Sequence, residues 1–371
     1  MRLNPVFESM GSYPFVRLDE AKVAAHAKGI ELIDFGVGEP RERTPEFIRE
    51  TFSKSMPEVS LYPKAVGMPE LRVAAADWVQ RRFGATLDPD TEVVPTLGSK
   101  EPIFNLANIL AGEVVVVTSP GYPVPGRGAQ FAGKEVVTLA LTSENDYLPD
   151  LDLVPWDRLS ILWLNYPNNP TGATVPLEYL ERAAALARAH DAILACDEAY
   201  SELWFDGDPP VSGLELADRT NVIVFNTLSK RSSMPGYRAG FAAGDPEIIA
   251  ALKRFRPNVG VAPQEAVQRA AVAAYGDEKH VEEVRDLYRA KRDAILPALL
   301  STGLVDVGGP ASFFLWLQTP EPDEEEFVIA MLDKGIVCAP GSAFGAHGSG
   351  HVRFALVPTL EDCRKAARLL A

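Results

Sequence analysis

Between Thr91 and Thr227, short runs of Val, Ile and Leu alternate with stretches patterned like helices. A strand covered by helices on both faces reads as a continuous apolar run, and parallel strands need long, usually helical, crossovers between them. The pattern therefore predicts an α/β fold with a mostly parallel sheet under helices. Strands are expected over 92–97, 114–119, 136–139, 161–165, 192–197 and 222–226. A helix is expected over 178–190, with Leu180, Ala184, Leu186 and Ala187 on its apolar side. Past Pro263 the pattern changes to an amphipathic stretch over 278–300, with Val281, Val284, Leu287, Tyr288, Ile295 and Leu299 at helical spacing, followed by apolar segments over 311–317 and 351–357. This reads as a second, smaller α+β unit. At 371 residues the chain exceeds one ordinary core, given roughly 150 residues per domain. The expected division is a large domain over 45–265 and a small one built from 1–44 with 266–371. The acidic run Glu321-Pro322-Asp323-Glu324-Glu325-Glu326 is expected as a solvated turn leading into a helix, whose first turn favours carboxylates.

Thirty-six Lys plus Arg against 51 Asp plus Glu leave a net charge of −15. No long basic block offsets that acidity, which argues against a nucleic-acid partner. Met1-Arg2-Leu3-Asn4-Pro5-Val6-Phe7 lacks the apolar core of a secretory signal and no apolar stretch is long enough to span a bilayer, so the expectation is cytoplasmic, with no membrane partner. Cys196, Cys338 and Cys363 are widely spaced and form no metal or disulfide pattern. The pair in His347-Gly348-Ser349-Gly350-His351 reads as a flexible connection, so no metal is expected. Neither Gly36-Val37-Gly38 nor Gly126-Arg127-Gly128 completes a nicotinamide fingerprint.

In open α/β sheets, ligands bind beyond the carboxyl ends of the strands. There the first run leads into Gly98-Ser99-Lys100-Glu101, and the fourth into Asn165-Tyr166-Pro167-Asn168-Asn169-Pro170-Thr171-Gly172. The fifth leads into Asp197-Glu198-Ala199-Tyr200, and the sixth into Thr227-Leu228-Ser229-Lys230. A Lys, an Asp, a Tyr and an Asn then face one crevice. That set meets the needs of pyridoxal phosphate: an amine for its aldehyde, a carboxylate to keep its pyridine nitrogen protonated, and donors for its ring oxygen. Its phosphate needs N–H groups at a helix start, here Gly98-Ser99-Lys100, and a cation, here Arg238. Arg353 shares its strand face with Ala355 and Val357, an apolar setting in which a guanidinium requires an anion.

N-N-P-T-G at 168–172, D-E-A-Y at 197–200 and S-K-R-S-S-M-P-G-Y-R at 229–238 resemble the class I/II aminotransferases of fold type I, over essentially the whole chain. Tyr13-Pro14-Phe15, Gly36-Val37-Gly38-Glu39-Pro40, Gly98-Ser99-Lys100-Glu101 and the K-R-S-x-x-P-G-x-R form resemble the branch containing N-succinyl-diaminopimelate aminotransferases. The resemblance implies Lys230 as Schiff-base lysine and proton shuttle, Asp197 on the pyridine nitrogen, and Tyr200 and Asn169 on the ring oxygen. It also implies Tyr122 stacked on the ring, with the amides of Ser99 and Lys100 and the side chains of Thr227 and Arg238 around the phosphate. Tyr62 resembles a tyrosine that reaches the phosphate of a neighbouring subunit, which implies a homodimer with shared active sites. Arg353 and the backbone of Gly38 are implied to bind the substrate α-carboxylate.

Two positions depart from the family pattern: Thr227, where serine is frequent, and Pro125-Gly126, where the segment after Pro123-Val124 usually continues with an aromatic. The reading is an amino-group transfer between an L-amino acid, N-succinyl-LL-diaminopimelate among the candidates, and 2-oxoglutarate, as in lysine biosynthesis. Alternatives are an aminotransferase for aspartate, aromatic or aliphatic amino acids, a C–S lyase on the same cofactor, and a catalytically silent regulatory protein. Arg17, Arg127, Arg254 and Arg256 are unranked candidates for the distal substrate group.

Overall fold

The computed structural model describes residues 2–9, 16–320 and 323–371; Tyr13-Pro14-Phe15 lies outside them. In chain order the strands are β1 (Ile33–Asp34), β2 (Val93–Thr96), β3 (Val114–Ser119), β4 (Glu135–Ala140), β5 (Leu159–Asn165), β6 (Ile193–Asp197), β7 (Val222–Thr227), β8 (Gly240–Gly244), β9 (Val305–Asp306), β10 (Phe314–Gln318), β11 (Ile336–Val337), β12 (Ala339–Pro340) and β13 (His351–Ala355). The seven-stranded sheet has the order β2-β8-β7-β6-β5-β3-β4. Its pairs are parallel except where β8 runs antiparallel between β2 and β7. The carboxyl ends of β2, β3, β5, β6 and β7 therefore open on one edge.

All six expected strands are present, within a residue or two of their expected bounds. The strand that the apolar pattern did not reveal is β8, whose Gly-Phe-Ala-Ala-Gly sequence lacks β-branched residues. Tight neighbours explain its composition. A Cβ on Gly240 would stand 2.3 Å from the Asn226 carbonyl, and one on Gly244 2.2 Å from that of Val222. One face of the sheet packs Ile103, Leu106, Trp163, Phe225 and Ile249. The other packs Trp78, Leu162, Leu180, Phe241 and Tyr275.

The second expected unit is built on the four-stranded antiparallel sheet β12-β13-β10-β9, with β1 and β11 paired in parallel beside it. The helix Lys279–Leu300 covers it, and Tyr288, Ile295, Leu299, Phe313 and Phe354 share its core. The acidic run does lead into a helix, Glu324–Asp333, with the Asp323 carboxylate accepting from the N–H groups of Glu325 and Glu326. Glu324 itself is not solvated: it is buried and accepts from the N–H groups of Gly350 at 2.9 Å and Ser342 at 3.2 Å, tying the helix to the loop before β13. No described helix is long and apolar enough to cross a membrane.

Candidate active site

Asp197 and Lys230 stand at or just past the ends of buried strands. β6, buried along its whole length, ends in Asp197, and the turn beyond it carries Tyr200, edge-on to the rings of Phe313 and Phe314. β7 ends in Thr227, whose hydroxyl caps the short helix Leu228–Arg231 by accepting from the Ser229 N–H. That turn holds Lys230 over the crevice. Its Nζ donates to the Gly38 carbonyl at 2.7 Å and lies 5.3 Å from the Phe313 ring centre and 5.9 Å from that of Tyr200.

Burial lowers the Lys230 pKa to about 8, helped by Arg353 and Arg238 and opposed by Glu39 and Asp197. Burial raises the Asp197 carboxyl to about 7, although the Ala199 N–H donates to it at 3.2 Å and Lys230 is near. Burial likewise pushes the Tyr200 phenol well above its ordinary value, against the pull of Arg353. A carboxyl held this high by desolvation gains most from a cation placed beside it. A protonated pyridine nitrogen is such a cation.

Arg353, 4% exposed on β13, crosses from the small sheet into the crevice. One Nη donates to the Asn169 side-chain oxygen and the other to the Gly36 carbonyl, both at 2.8 Å. Its guanidinium lies between the rings of Phe314 and Phe344, at 4.3 and 4.4 Å. Asn169 is oriented in turn by Asn165, whose side-chain oxygen accepts from the Asn169 N–H at 2.9 Å. A Cβ on Gly38 would stand 2.8 Å from the Phe314 ring, so a larger residue there would force that ring to shift.

On the other flank, Gly98 has φ +68°, and a Cβ on it would meet the Arg238 guanidinium at 2.8 Å. Arg238 donates to the carbonyls of Leu97 and Pro235, each at 3.0 Å, and approaches the Ser229 hydroxyl at 3.5 Å. The hydroxyls of Ser229 and Thr227 are 2.9 Å apart, and Ser99 and Lys100 open the helix Lys100–Asn105 beside them. This cradle of hydroxyls, a guanidinium and helix-start amides, kept open by a missing Cβ, fits a phosphate. A cavity of about 780 Å³ opens beside Arg238, with Glu42, Thr44, Leu97 and Ser233 among its walls.

The structure thus brings together Lys230, Asp197, Tyr200, Asn169, Arg353 and Gly38 on one side and Gly98, Ser99, Lys100, Thr227 and Arg238 on the other. Tyr122 is half-buried past the end of β3 and close enough to Tyr200 to influence its phenol. Tyr62 stands apart, fully exposed beside exposed Leu61 and Val59. Pro125 and Gly126 lie in the helix Val124–Phe131, whose Gly128 packs so closely that a Cβ would be 2.2 Å from the Phe104 carbonyl. Of the distal-group candidates, Arg256 is fully buried and bound to Glu101 and the Ala65 carbonyl, and Arg127 donates to Gln130. Residue patterns missed Ser229, the Gly36 carbonyl, Glu39 and the Phe314–Phe344 clamp. Ser229, next to Lys230, and Gly36 and Glu39, flanking Gly38, each lay inside a motif already singled out, whereas the Phe314–Phe344 clamp had no local signal.

A parallel sheet that gathers a buried lysine and carboxylate at one edge, with an arginine entering from a second sheet, is the arrangement of the fold-type-I pyridoxal-phosphate enzymes. Comparison with known proteins narrows the class: the chain belongs to the aminotransferases of class I and II, whose family profile matches residues 30–370. It is similar to LL-diaminopimelate aminotransferases of Nitratidesulfovibrio vulgaris, 39% identical over 97% of this chain and 96% of that protein, and of Aquifex aeolicus, 40% identical over 96% and 95%. Among solved structures it resembles an aspartate aminotransferase mutant of Thermus thermophilus, with TM-score 0.91 and 30% identity over 100% of this chain and 99% of that one. A probable N-succinyldiaminopimelate aminotransferase of the same organism has TM-score 0.88 and 32% identity, over 96% and 98%. The protein is a pyridoxal-phosphate-dependent aminotransferase acting on amino and oxo acids. That displaces the lyase and silent-regulator alternatives.

Proposed function

We propose that this aminotransferase exchanges an amino group between LL-diaminopimelate and 2-oxoglutarate, in cytoplasmic lysine biosynthesis. The observation that carries the assignment to α-amino acids is Arg353, buried and clamped between aromatic rings opposite Lys230. The choice of diaminopimelate rests on the names of relatives similar over nearly their whole length. These relatives carry the unsuccinylated name, so free diaminopimelate replaces the succinylated substrate expected from the motifs.

When bound, pyridoxal phosphate supplies an aldehyde that exchanges amines and a ring that stores the electron pair released at the substrate α-carbon. Asp197 would face the ring nitrogen, and Tyr200 and Asn169 the ring oxygen, with Tyr122 against the ring face. The amides of Ser99 and Lys100, with Thr227, Ser229 and Arg238, would hold the phosphate, and Gly98 leaves room for it. Arg353 binds the substrate α-carboxylate in a two-point ion pair, with the Gly38 backbone beside it. Lys230, with its pKa lowered to about 8, takes the proton from the α-carbon at Nζ and returns it, because an amine titrating near working pH serves both directions.

The same reading makes the protein a homodimer in which Tyr62 of a second copy completes the phosphate site. Its full exposure and the open cavity beside Arg238 support this. It also divides the chain into a cofactor-binding domain, 45–265, and a smaller domain, 1–44 with 266–371, supported by the separate core of the small sheet. The test is steady-state turnover of LL-diaminopimelate, its N-succinyl derivative, aspartate and phenylalanine with 2-oxoglutarate as acceptor. The highest kcat/KM is expected for LL-diaminopimelate, and a value no better than the others overturns the substrate assignment.

A further inference from the structure

Lys291, on the helix Lys279–Leu300, has no exposed surface and lies outside the set of groups assigned above. Desolvating an ammonium costs several kcal/mol, and apolar side chains of similar volume often replace a buried ion pair without loss of stability. Stability alone therefore does not account for a lysine here. Its partners do. Nζ forms an ion pair with the Glu42 carboxylate, donates to the Leu356 carbonyl at 3.2 Å, and lies 5.0 Å from the Tyr288 ring centre.

Glu42 belongs to the segment that leaves β1 and passes through Gly36 and Gly38. Leu356 continues β13, the strand that bears Arg353, and its N–H donates to the Phe313 carbonyl at 2.9 Å. The two segments meet where Arg353 donates to the Gly36 carbonyl, and where the Ala355 N–H donates to the Phe35 carbonyl at 2.8 Å. The first segment also receives Lys230 at Gly38. One ammonium thus fastens both walls of the gap between Gly38 and Arg353, from behind. We propose that Lys291, by holding Glu42 and the Leu356 carbonyl together, is a positioning residue that sets the Gly38–Arg353 spacing and hence the grip on the substrate α-carboxylate. Because the amino acid and the oxo acid both carry that group, Lys291 acts in both half-reactions. The inference rests on the assignment of Arg353 and Gly38 to the α-carboxylate.

The experiment compares wild-type holoenzyme with Lys291→Met/Glu42→Gln, which removes both charges and leaves neither buried alone. Measured are kcat and KM for LL-diaminopimelate and 2-oxoglutarate, the melting temperature and the cofactor absorbance. KM is expected to rise about tenfold for both substrates, with kcat changed by less than about threefold and melting and spectrum as in wild type. A wild-type KM in the folded double variant overturns the proposal, as does a fall in kcat with KM unchanged. Should that variant not fold, Glu42→Ala alone carries the test, since it removes the acceptor, cuts the tie to the Gly38 segment and leaves Lys291 on the Leu356 carbonyl. The same KM rise supports the proposal and an unchanged KM overturns it. Arg353→Lys separates the two levels. If it leaves KM unaltered, the carboxylate assignment fails; if it raises KM while the Lys291 variant does not, only the positioning role fails.

Discussion

The two edges of the large sheet are made from the same strands, yet their polar residues live under opposite conditions. At the amino-terminal edge, Asp245 and Asp191 stand with Glu113, Arg158, His190 and Asn221 around a cavity of about 590 Å³. There the polar groups satisfy one another. Asp245, 7% exposed, accepts from the N–H groups of Asn221 and Glu247, each at 2.7 Å. Arg158 pairs with Glu113 and Glu135 in the open, and the Ser160 hydroxyl donates to the Ala111 carbonyl. At the carboxyl-terminal edge, Asp197 is buried as deeply, at 5% exposed, but its carboxyl is raised to about 7 and the neighbouring Lys230 lowered to about 8. Equally buried, the Asp245 carboxylate is met by two backbone N–H groups and that of Asp197 by one, from Ala199. Groups held away from their preferred protonation state are ready to meet a ligand that completes them.

The contrast is broken most severely by Lys230→Ala. Turnover should fall by about 10²–10⁴-fold or more, with loss of the Schiff-base absorbance. The phosphate cradle should still retain cofactor by gel filtration, and turnover near wild type would refute the assignment.

Asp197→Asn sharpens it through pH. The carboxyl titrates at about 7 in the folded chain and at about 4 when unfolded. Between those values the folded state binds more protons, so stability is fully present below the unfolded pKa and is lost as pH rises through 7. Cofactor-free Asp197→Asn should therefore melt above cofactor-free wild type at pH 8, and the gap should close near pH 4. In the holoenzyme, where the ring nitrogen faces the carboxylate, the order should reverse. A pH-independent gap in the cofactor-free pair would count against the raised carboxyl.

A smaller effect is expected from Gly98→Ala. A side chain at positive φ costs about 1–2 kcal/mol, and the new Cβ displaces Arg238. Weaker cofactor retention with an unchanged absorbance maximum is the expected result, read by titrating cofactor into the stripped protein. Smallest is Ser160→Ala at the opposite edge. It removes a hydrogen bond worth about 1 kcal/mol, lowering the melting temperature slightly while kcat and KM stay at wild type. A catalytic effect there would show that the two edges are coupled.

What the sequence determined by itself is whatever depends on near neighbours in the chain. Strand positions were legible because burial on both faces writes continuous Val, Ile and Leu runs, and Asp197, Asn169 and Lys230 were legible because each follows such a run within its own motif. β8 was illegible for the opposite reason: its glycines are set by the carbonyls of Val222 and Asn226 on the neighbouring strand, a constraint that leaves no apolar pattern. Only the tertiary structure decided what Arg353 and Lys230 touch. Arg353 finds Asn169 and Gly36 across 184 and 317 residues, Lys230 finds Gly38 across 192, and Lys291 finds Glu42 across 249. Nor did composition distinguish Glu324, buried on two backbone N–H groups, from the solvated glutamates around it. Periodicity reports which face of an element is buried, but the partner of a buried charge is chosen by chain segments that meet only after folding.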